Sequence, residues 1–456
     1  MASEASWNPG LWSAAGGRLQ SDWSLVPFAE LLESSKSISV GVMYPGDEVK
    51  GGVPLVRVGD VDGNGIVGIP AMQISNEVHH EYRRTELRGD ELLITLVGKP
   101  GGCVVVSPYM RGWNIARALA SARLKDPNLR AYLKAVLESS VMRNIILSML
   151  NTTVQPTLNL KEIKSLPVPI PHDLKIALEI GRATTLLNDR IALLRDTSTT
   201  LEAIAQTLFK SWFVDFDPVL PKAEGREPDD MDAATAALFP DSFEDSPLGP
   251  IPQGWHASTL SDCMELNPQR VLRKGSLASH LDMANTPTQG HRPTRVTQRE
   301  LVSGSKFTNG DTLLAKITPC LENGKTAFVD FLADNEVGWG STEFIVMRPK
   351  APLPSFWGYL LARMPNFRAF AIQAMTGTSG RQRVELGRLK QFSMVVPDAG
   401  VAEAFGKIIE PLRARIAAAS SHADNLAQLR DTLLPRLISG KLRLPEAQAL
   451  IEESTP

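Results

Sequence analysis

Two ladders of apolar residues, each stepping by seven positions, constrain this chain more than any other feature. Between about His172 and Pro218 the first runs Ile180, Leu187, Leu194, Leu201 and Leu208; Ile191, Ala205 and Trp212 form the second position of its stripe, and Thr184 and Ser198 weaken it. The second ladder runs Phe405, Leu412, Ala419, Leu426 and Leu433, with Ile409, Ile416, Ala423 and Leu437 beside it. A repeat of about 3.5 residues held this long requires a long helix that buries a narrow seam against another helix. Each member of the first ladder maps onto the second 225 residues later, so the partner helix lies in the same chain. About 40 residues at roughly 1.5 Å each make a rod near 60 Å long. Two such rods packed antiparallel would hold two globular units apart in an approximately two-fold arrangement.

The segments before the ladders are duplicated too. GDELLITLVGKPGGCVVV (89–106) matches GDTLLAKITPCLENGKTAFV (310–329) at an offset of 221, and each reads as strand, turn, strand. NTTVQPTLNLKEIKSLPVPIP (151–171) matches GTSGRQRVELGRLKQFSMVVP (377–397) at an offset of 226. VPLVRVGDV (53–61) reads as a short strand before a Gly63-Asn64-Gly65 turn, 128–150 as helix and 163–171 as strand. The first twenty residues read as loosely ordered. The expected fold class is α+β: two globular α/β domains separated by two long antiparallel coiled-coil helices, with pseudo-two-fold internal duplication. The expected partition is 1–171 for the first domain, 172–216 for the first long helix and 217–253 for an acidic, proline-bearing linker on the surface. The second domain follows at 254–397, the second long helix at 398–441 and a tail at 442–456.

At 456 residues the chain exceeds one ordinary core. It has no apolar run of membrane-spanning length, and its start has neither a basic nor an apolar block, so no membrane partner and a cytoplasmic location are expected. Three distant cysteines (Cys103, Cys263, Cys320) without CxxC spacing fit a reducing compartment better than a disulfide framework or a zinc site. The net charge of −2 argues at first against nucleic acid, but it hides a segregation. Residues 221–253 carry two basic and eight acidic side chains, whereas 254–397 carry 17 basic and 11 acidic. A local excess of that size is compatible with phosphate contact.

LFKSWFVDFDPV, KAEGREPDDMDAATAALFPDSF, LGPIPQGW and finally LLPRLISGKL strongly resemble the specificity subunits of type I restriction–modification systems. The resemblance covers essentially the whole chain: two variable target-recognition domains, a central conserved region and a C-terminal conserved region. It implies a non-catalytic, sequence-specific DNA-binding subunit in which each domain reads one half of a bipartite target in double-stranded DNA. It further implies assembly with two methyltransferase subunits, which use S-adenosylmethionine, and with restriction/translocase subunits, which use ATP; no cofactor is expected on this chain itself. By the same analogy Trp212, Phe213, Leu437 and Ile438 offer an interface to the methylase. The coiled-coil core is the other reading of the two aromatics.

The residues themselves show no active site. Asn267-Pro268-Gln269-Arg270 lacks the second proline and the aromatic of an amino-methyltransferase motif and reads as a turn, and there is no GxxxxGK[ST] loop. Glu48-Val49-Lys50 has the tail of a nuclease metal motif but no convincing acidic partner upstream and reads as a solvated loop, and no histidine pair has metal-binding helical spacing. What remains is a set of polar and basic loop residues suited to base edges and phosphates. In the first unit these are Arg57, Lys99, Arg117, Asn151, Thr152 and Gln155; in the second, Lys316, Thr318, Asn323, Lys325, Thr378, Ser379, Arg381, Gln382 and Arg383. Two readers on one duplex imply half-sites about one helical turn (~10 bp) apart. The alternative is a coiled-coil scaffold that never touches DNA, which would show no salt-sensitive DNA binding.

Overall fold

The computed structural model describes residues 7–62, 65–66, 68–150, 156–378 and 380–453. Two compact units emerge, Met1–Leu193 with Ala423–Pro456, and Leu194–His422. In the first, Ile38–Val40, Leu119–Ala122, Leu92–Thr95 and Cys103–Val105 form an antiparallel sheet in that order. Leu92–Thr95 is buried at every position, which is why it reads as a continuous apolar run rather than an alternating one. A smaller sheet follows the order Gln73–Ile74, Val53–Val56, Asn114–Ile115, the last pair parallel. Trp23–Pro27 pairs antiparallel with Pro167–Pro171, the strand that leads into the first long helix. The stretch 128–150 forms two helices, Arg130–Glu138 and Ser140–Met149, because Ser139 leaves helical geometry and its hydroxyl accepts the Met142 N–H at 3.3 Å. Of 163–171 only the proline-rich end is strand; Leu160–Ser165 is a helical turn.

The second unit repeats this topology. Met264–Leu266, Phe344–Pro349, Thr312–Ala315 and Thr326–Phe328 form the antiparallel sheet. Thr297–Glu300, Leu277–Leu281, Gly338–Gly340 and Ser305–Phe307 form the other, again with one parallel pair. His256–Thr259 pairs with Ser393–Val396, the strand before the second long helix. The duplication in sequence is therefore a duplication of fold, and the α+β class holds. Both units bury a carboxylate just before the central strand, Glu91 in one and Asp311 in the other, and both set an arginine against it, Arg123 at 3.3 Å and Arg348 at 2.5 Å.

The heptad ladders are two long helices, Leu174–Lys210 and Ala399–Leu437. Each passes from one unit into the other, so neither stands apart as a separate element. Within the first unit the helices run antiparallel, with Ile180 in the cluster that holds Leu433 and Leu437, and Asn188 Oδ1 accepting from Arg430 Nη1 at 2.7 Å. Within the second unit the same direction brings Ser198 to Ser420 at 3.3 Å and Phe209 to Phe405 with ring centres 6.1 Å apart. Ile191, Ala205, Ile409, Ile416 and Ala423 form the deeply buried half of the seam. Leu187, Leu194, Leu201, Leu208 and Leu412 are half-buried along its margin, whereas Phe405, Leu426 and Leu433 are buried. Gly440 closes the second helix at φ +75°, where a β-carbon would stand 2.3 Å from Trp23 Nε1.

Three sequence expectations are corrected. The stretch 217–253 is not a solvated tether: it folds as helices Val219–Ala223 and Ala233–Ala236 and a hairpin of Phe243–Ser246 with Gly249–Pro252. Its apolar side chains Val219 and Phe239 are buried in the core that holds the end of the first long helix, Ile251 is buried too, and most of its acids face water. Among the described residues at the two ends, Trp12 on one side and Leu442 and Ala447 on the other are likewise buried in the core of the first unit. Trp212 and Phe213, expected as interface anchors, sit in the second unit's own core at 4% and 5% exposure, against Phe239, Trp255 and Phe405. Leu437 and Ile438 are buried in the core of the first unit. An interior side chain has no surface to lend to a partner.

A buried ionic network fastens the second unit's sheets to its share of the helices. Asp330 takes a hydrogen bond from His291 Nε2 at 3.0 Å and ion pairs from Arg292 at 3.5 Å and Arg413 at 3.2 Å. Burial opposes charge on Asp330, but His291, Arg292 and Arg413 outweigh it and hold its pKa below the ordinary value. A depressed carboxyl pKa contributes stability that is present above the unfolded-state value of about 3.9 and lost as pH falls through the folded-state value. Asp330→Asn should therefore destabilise the second unit at neutral pH and flatten its acid limb, as pH-dependent denaturant titrations would show.

Candidate nucleic-acid interface

The candidate residues of the first unit gather through backbone hydrogen bonds between loops. Ala116 N–H donates to Val56 C=O at 2.8 Å, and Leu96 N–H to Ala118 C=O at 2.9 Å. A β-carbon on Gly98 would lie 3.6 Å from Val58 Cγ1. The turns carrying Arg57, Lys99 and Arg117 are thus neighbours, and all three side chains are exposed. Arg57 leans on Asp60, its Nε 3.8 Å from the carboxylate, and at 51% exposure it remains available to a ligand. Leu158 N–H binds Leu96 C=O at 2.9 Å, so the chain re-enters beside the same turns. Asn151, Thr152 and Gln155 lie outside the described residues.

In the second unit the loop 377–383 docks along 316–318. Val384 N–H donates to Lys316 C=O at 2.8 Å, Thr318 N–H to Gln382 C=O at 3.1 Å, and Gln382 N–H to Thr318 Oγ1 at 3.1 Å. Lys316, Thr318, Gln382 and Arg383 are thereby brought together, with Thr378 and Arg381 exposed at the loop tip. Ser379 is outside the described residues.

Three of these residues are committed within the fold. Thr318 is 8% exposed and serves as an internal acceptor. Arg383 grips Glu343 with both Nε and Nη2, the shortest contact 2.8 Å, and that hydrogen bond holds the Glu343 carboxyl below its usual pKa. Lys325 turns to the carbonyls of Met283 and Ala284. Asn323 remains exposed, one helical turn after Pro319, whose carbonyl takes its N–H at 2.9 Å.

Lys316 faces a cleft of about 360 Å³ that the loop inventory missed, lined also by Asn267, Gln269, Arg270 and Lys306. Asn267, at φ +53°, exchanges hydrogen bonds with Val346 through its N–H (2.7 Å) and its Oδ1 (2.9 Å). The Asn-Pro-Gln-Arg stretch is therefore the turn expected of it, and it forms one wall of the cleft. The sequence offset of 221 sets Thr85 opposite Lys306, and only the strand pairing of the fold makes the acid Glu86 its counterpart.

No protein-family model matches the chain. The type I restriction enzyme EcoBI specificity subunit of Escherichia coli is 30% identical over 154 residues, 33% of this chain and 32% of that protein, so this match spans about a third of the relative's length. The HindI specificity subunit of Haemophilus influenzae is 23% identical over 330 residues, 63% of this chain and 71% of that protein. The crystal structure of a type I restriction–modification S subunit from M. genitalium shares the fold, with a TM-score of 0.54 at 12% identity over 92% of this chain and 96% of that one. In sequence over part of its length, and in its duplicated fold, this chain is similar to the specificity subunits of type I restriction–modification systems.

Proposed function

We propose that this chain is the sequence-specific DNA-binding subunit of a type I restriction–modification complex. Each unit reads one half of a bipartite double-stranded target, and the paired helices set the spacer and dock methylase subunits. The carrying observation is one topology built twice, with a different set of polar and basic side chains gathered on the loops of each copy: Arg57, Lys99 and Arg117 in the first unit, Lys316, Arg381 and Gln382 in the second. A common scaffold with divergent loops is what two readers of two different short sequences require.

The chain performs no chemistry of its own in this reading. Its work is positional: loop amides and guanidinium groups select base edges, and lysines hold phosphates. S-adenosylmethionine and ATP belong to the partners, two methyltransferase subunits and the restriction/translocase subunits. Because Trp212, Phe213, Leu437 and Ile438 are interior, the methylase must use other side chains of the helices, such as Leu186 and Leu193, which are 69% and 58% exposed.

The test is a methylation map. The chain is expressed with its methylase subunit in a methylation-free host, and modified adenines are sequenced. A two-part motif with a fixed gap is expected, and replacing residues 254–397 by the same segment of another specificity subunit should change one half only. Co-purification of the two proteins without any methylation would instead favour the scaffold.

A further inference from the structure

The two units serve as controls for each other. Equivalent positions follow from the strand pairing: Leu96 N–H binds Ala118 C=O at 2.9 Å where Lys316 N–H binds Glu343 C=O at 2.9 Å. Likewise Leu87 N–H binds Trp113 C=O where Phe307 pairs with Gly338, which makes Glu86 the counterpart of Lys306. The first unit therefore folds with a buried leucine and an acid where the second places two lysines. The shared fold does not need these cations, so their convergence on one cleft calls for another reason.

The cleft has the chemistry of an anion seat. Lys316 is half-buried, and its charge helps to hold the Glu343 carboxyl below its usual pKa, after the Arg383 hydrogen bond, but its ammonium makes no hydrogen bond or close ion pair among the described residues. Lys306 uses one donor on Leu272 C=O at 3.0 Å, leaving two. Arg270 reaches Asp311 at 3.3 Å through Nη2, while its buried Nε has no hydrogen-bond partner among the described residues. The exposed amides of Asn267 and Gln269 stand at the rim. Asp311 is fully buried and shared with Arg348, and Glu343 is occupied by Arg383, so the nearby acids are already matched.

We propose that this cleft, with Lys306 and Lys316 as its principal cations, holds the DNA phosphate backbone beside the second half-site, a contact the first unit does not make at the same positions. The inference rests on the DNA-reading function above. Phosphate contacts set affinity and its salt dependence without selecting bases, so the cleft anchors the register in which the neighbouring 377–383 loop reads.

The test measures DNA affinity against salt for the full chain in its methylase complex, as wild type, Lys316→Gln, Lys306→Gln and the double variant. Each lost phosphate contact should lower the slope of log K against log salt by about 1, and the double variant by about 2, with the methylated motif unchanged. Lys316→Gln is decisive on its own, since Lys306 also holds Leu272. An unchanged slope in Lys316→Gln overturns the assignment. A second half-site relaxed at one base pair overturns it too, because the cleft would then be reading bases. Failure of the wild-type complex to bind DNA in a salt-dependent way removes the DNA-reading function itself, and this inference with it.

Discussion

Trp212→Ala should lower the stability of the second unit by about 3–5 kcal/mol, the cost of truncating a large aromatic in a packed core. For a unit of this size that is a fall of roughly 6–20 °C in melting temperature. Its ring lies 4.9 Å from Phe239 at 90° and 5.6 Å from Phe405, so the deletion opens a cavity among elements from three parts of the chain. Those elements are the end of the first helix, the segment after it and the start of the second helix. Leu193→Ala, on the solvent side of the same helix, should stay within about 0.5 kcal/mol. Thermal unfolding of the chain without partners decides the matter. Were Trp212 an interface anchor, its variant would melt like the wild type and fail only in binding the methylase.

That contrast marks how far sequence reasoning reaches. The heptad seam and the duplication were readable because period and offset are local, repeated signals: Ile180 to Leu208 and Phe405 to Leu433 needed only counting. The 217–253 segment was misread because its buried residues follow no period. Val219 and Phe239 share a core with Trp212 and Trp255, Ile251 is buried as well, and acidic and proline-rich surroundings mask all three in the sequence. The loop candidates divide for a similar reason. Nothing near Arg383 in the chain reveals that Glu343, 40 residues away, occupies its guanidinium, nor that Thr318 faces inward to Gln382. Conversely Lys306 joins Lys316 only through the sheet, so a search confined to loops could not pair them.

Register supplies the sharpest test of the duplication. Aligning the two Gly-Asp pairs equates Asp90 with Asp311, whereas the hydrogen bonds equate Glu91 with Asp311. Val106 N–H binds Glu91 C=O at 3.0 Å as Val329 N–H binds Asp311 C=O at 2.8 Å. Glu91, 0% exposed, accepts the N–H groups of Arg88 (2.8 Å), Gly89 (3.1 Å) and Asp90 (3.2 Å) besides Arg123. Asp311 Oδ2 accepts the Thr308 N–H at 2.7 Å from the same turn in the second unit. Both carboxylates reach back three residues, to Arg88 and to Thr308, and the longer glutamate also takes the N–H groups of Gly89 and Asp90.

Glu91→Ala would strand those donors and leave Arg123, 16% exposed, without its buried counter-charge. Removing one partner of such a pair costs about 3–5 kcal/mol, enough to unfold the first unit under mild denaturant. Asp90→Ala removes a side chain at the surface margin and should cost less than about 1 kcal/mol. In the second unit Asp311→Ala should match Glu91→Ala, whereas Arg348→Met should be milder because Arg270 and the Thr308 N–H still face the carboxylate. Urea titrations of the four variants, followed by tryptophan fluorescence, give the ranking directly. Asp90→Ala proving the costlier of the first pair would mean that the Gly-Asp alignment, and not the hydrogen-bond register, describes how the two copies correspond.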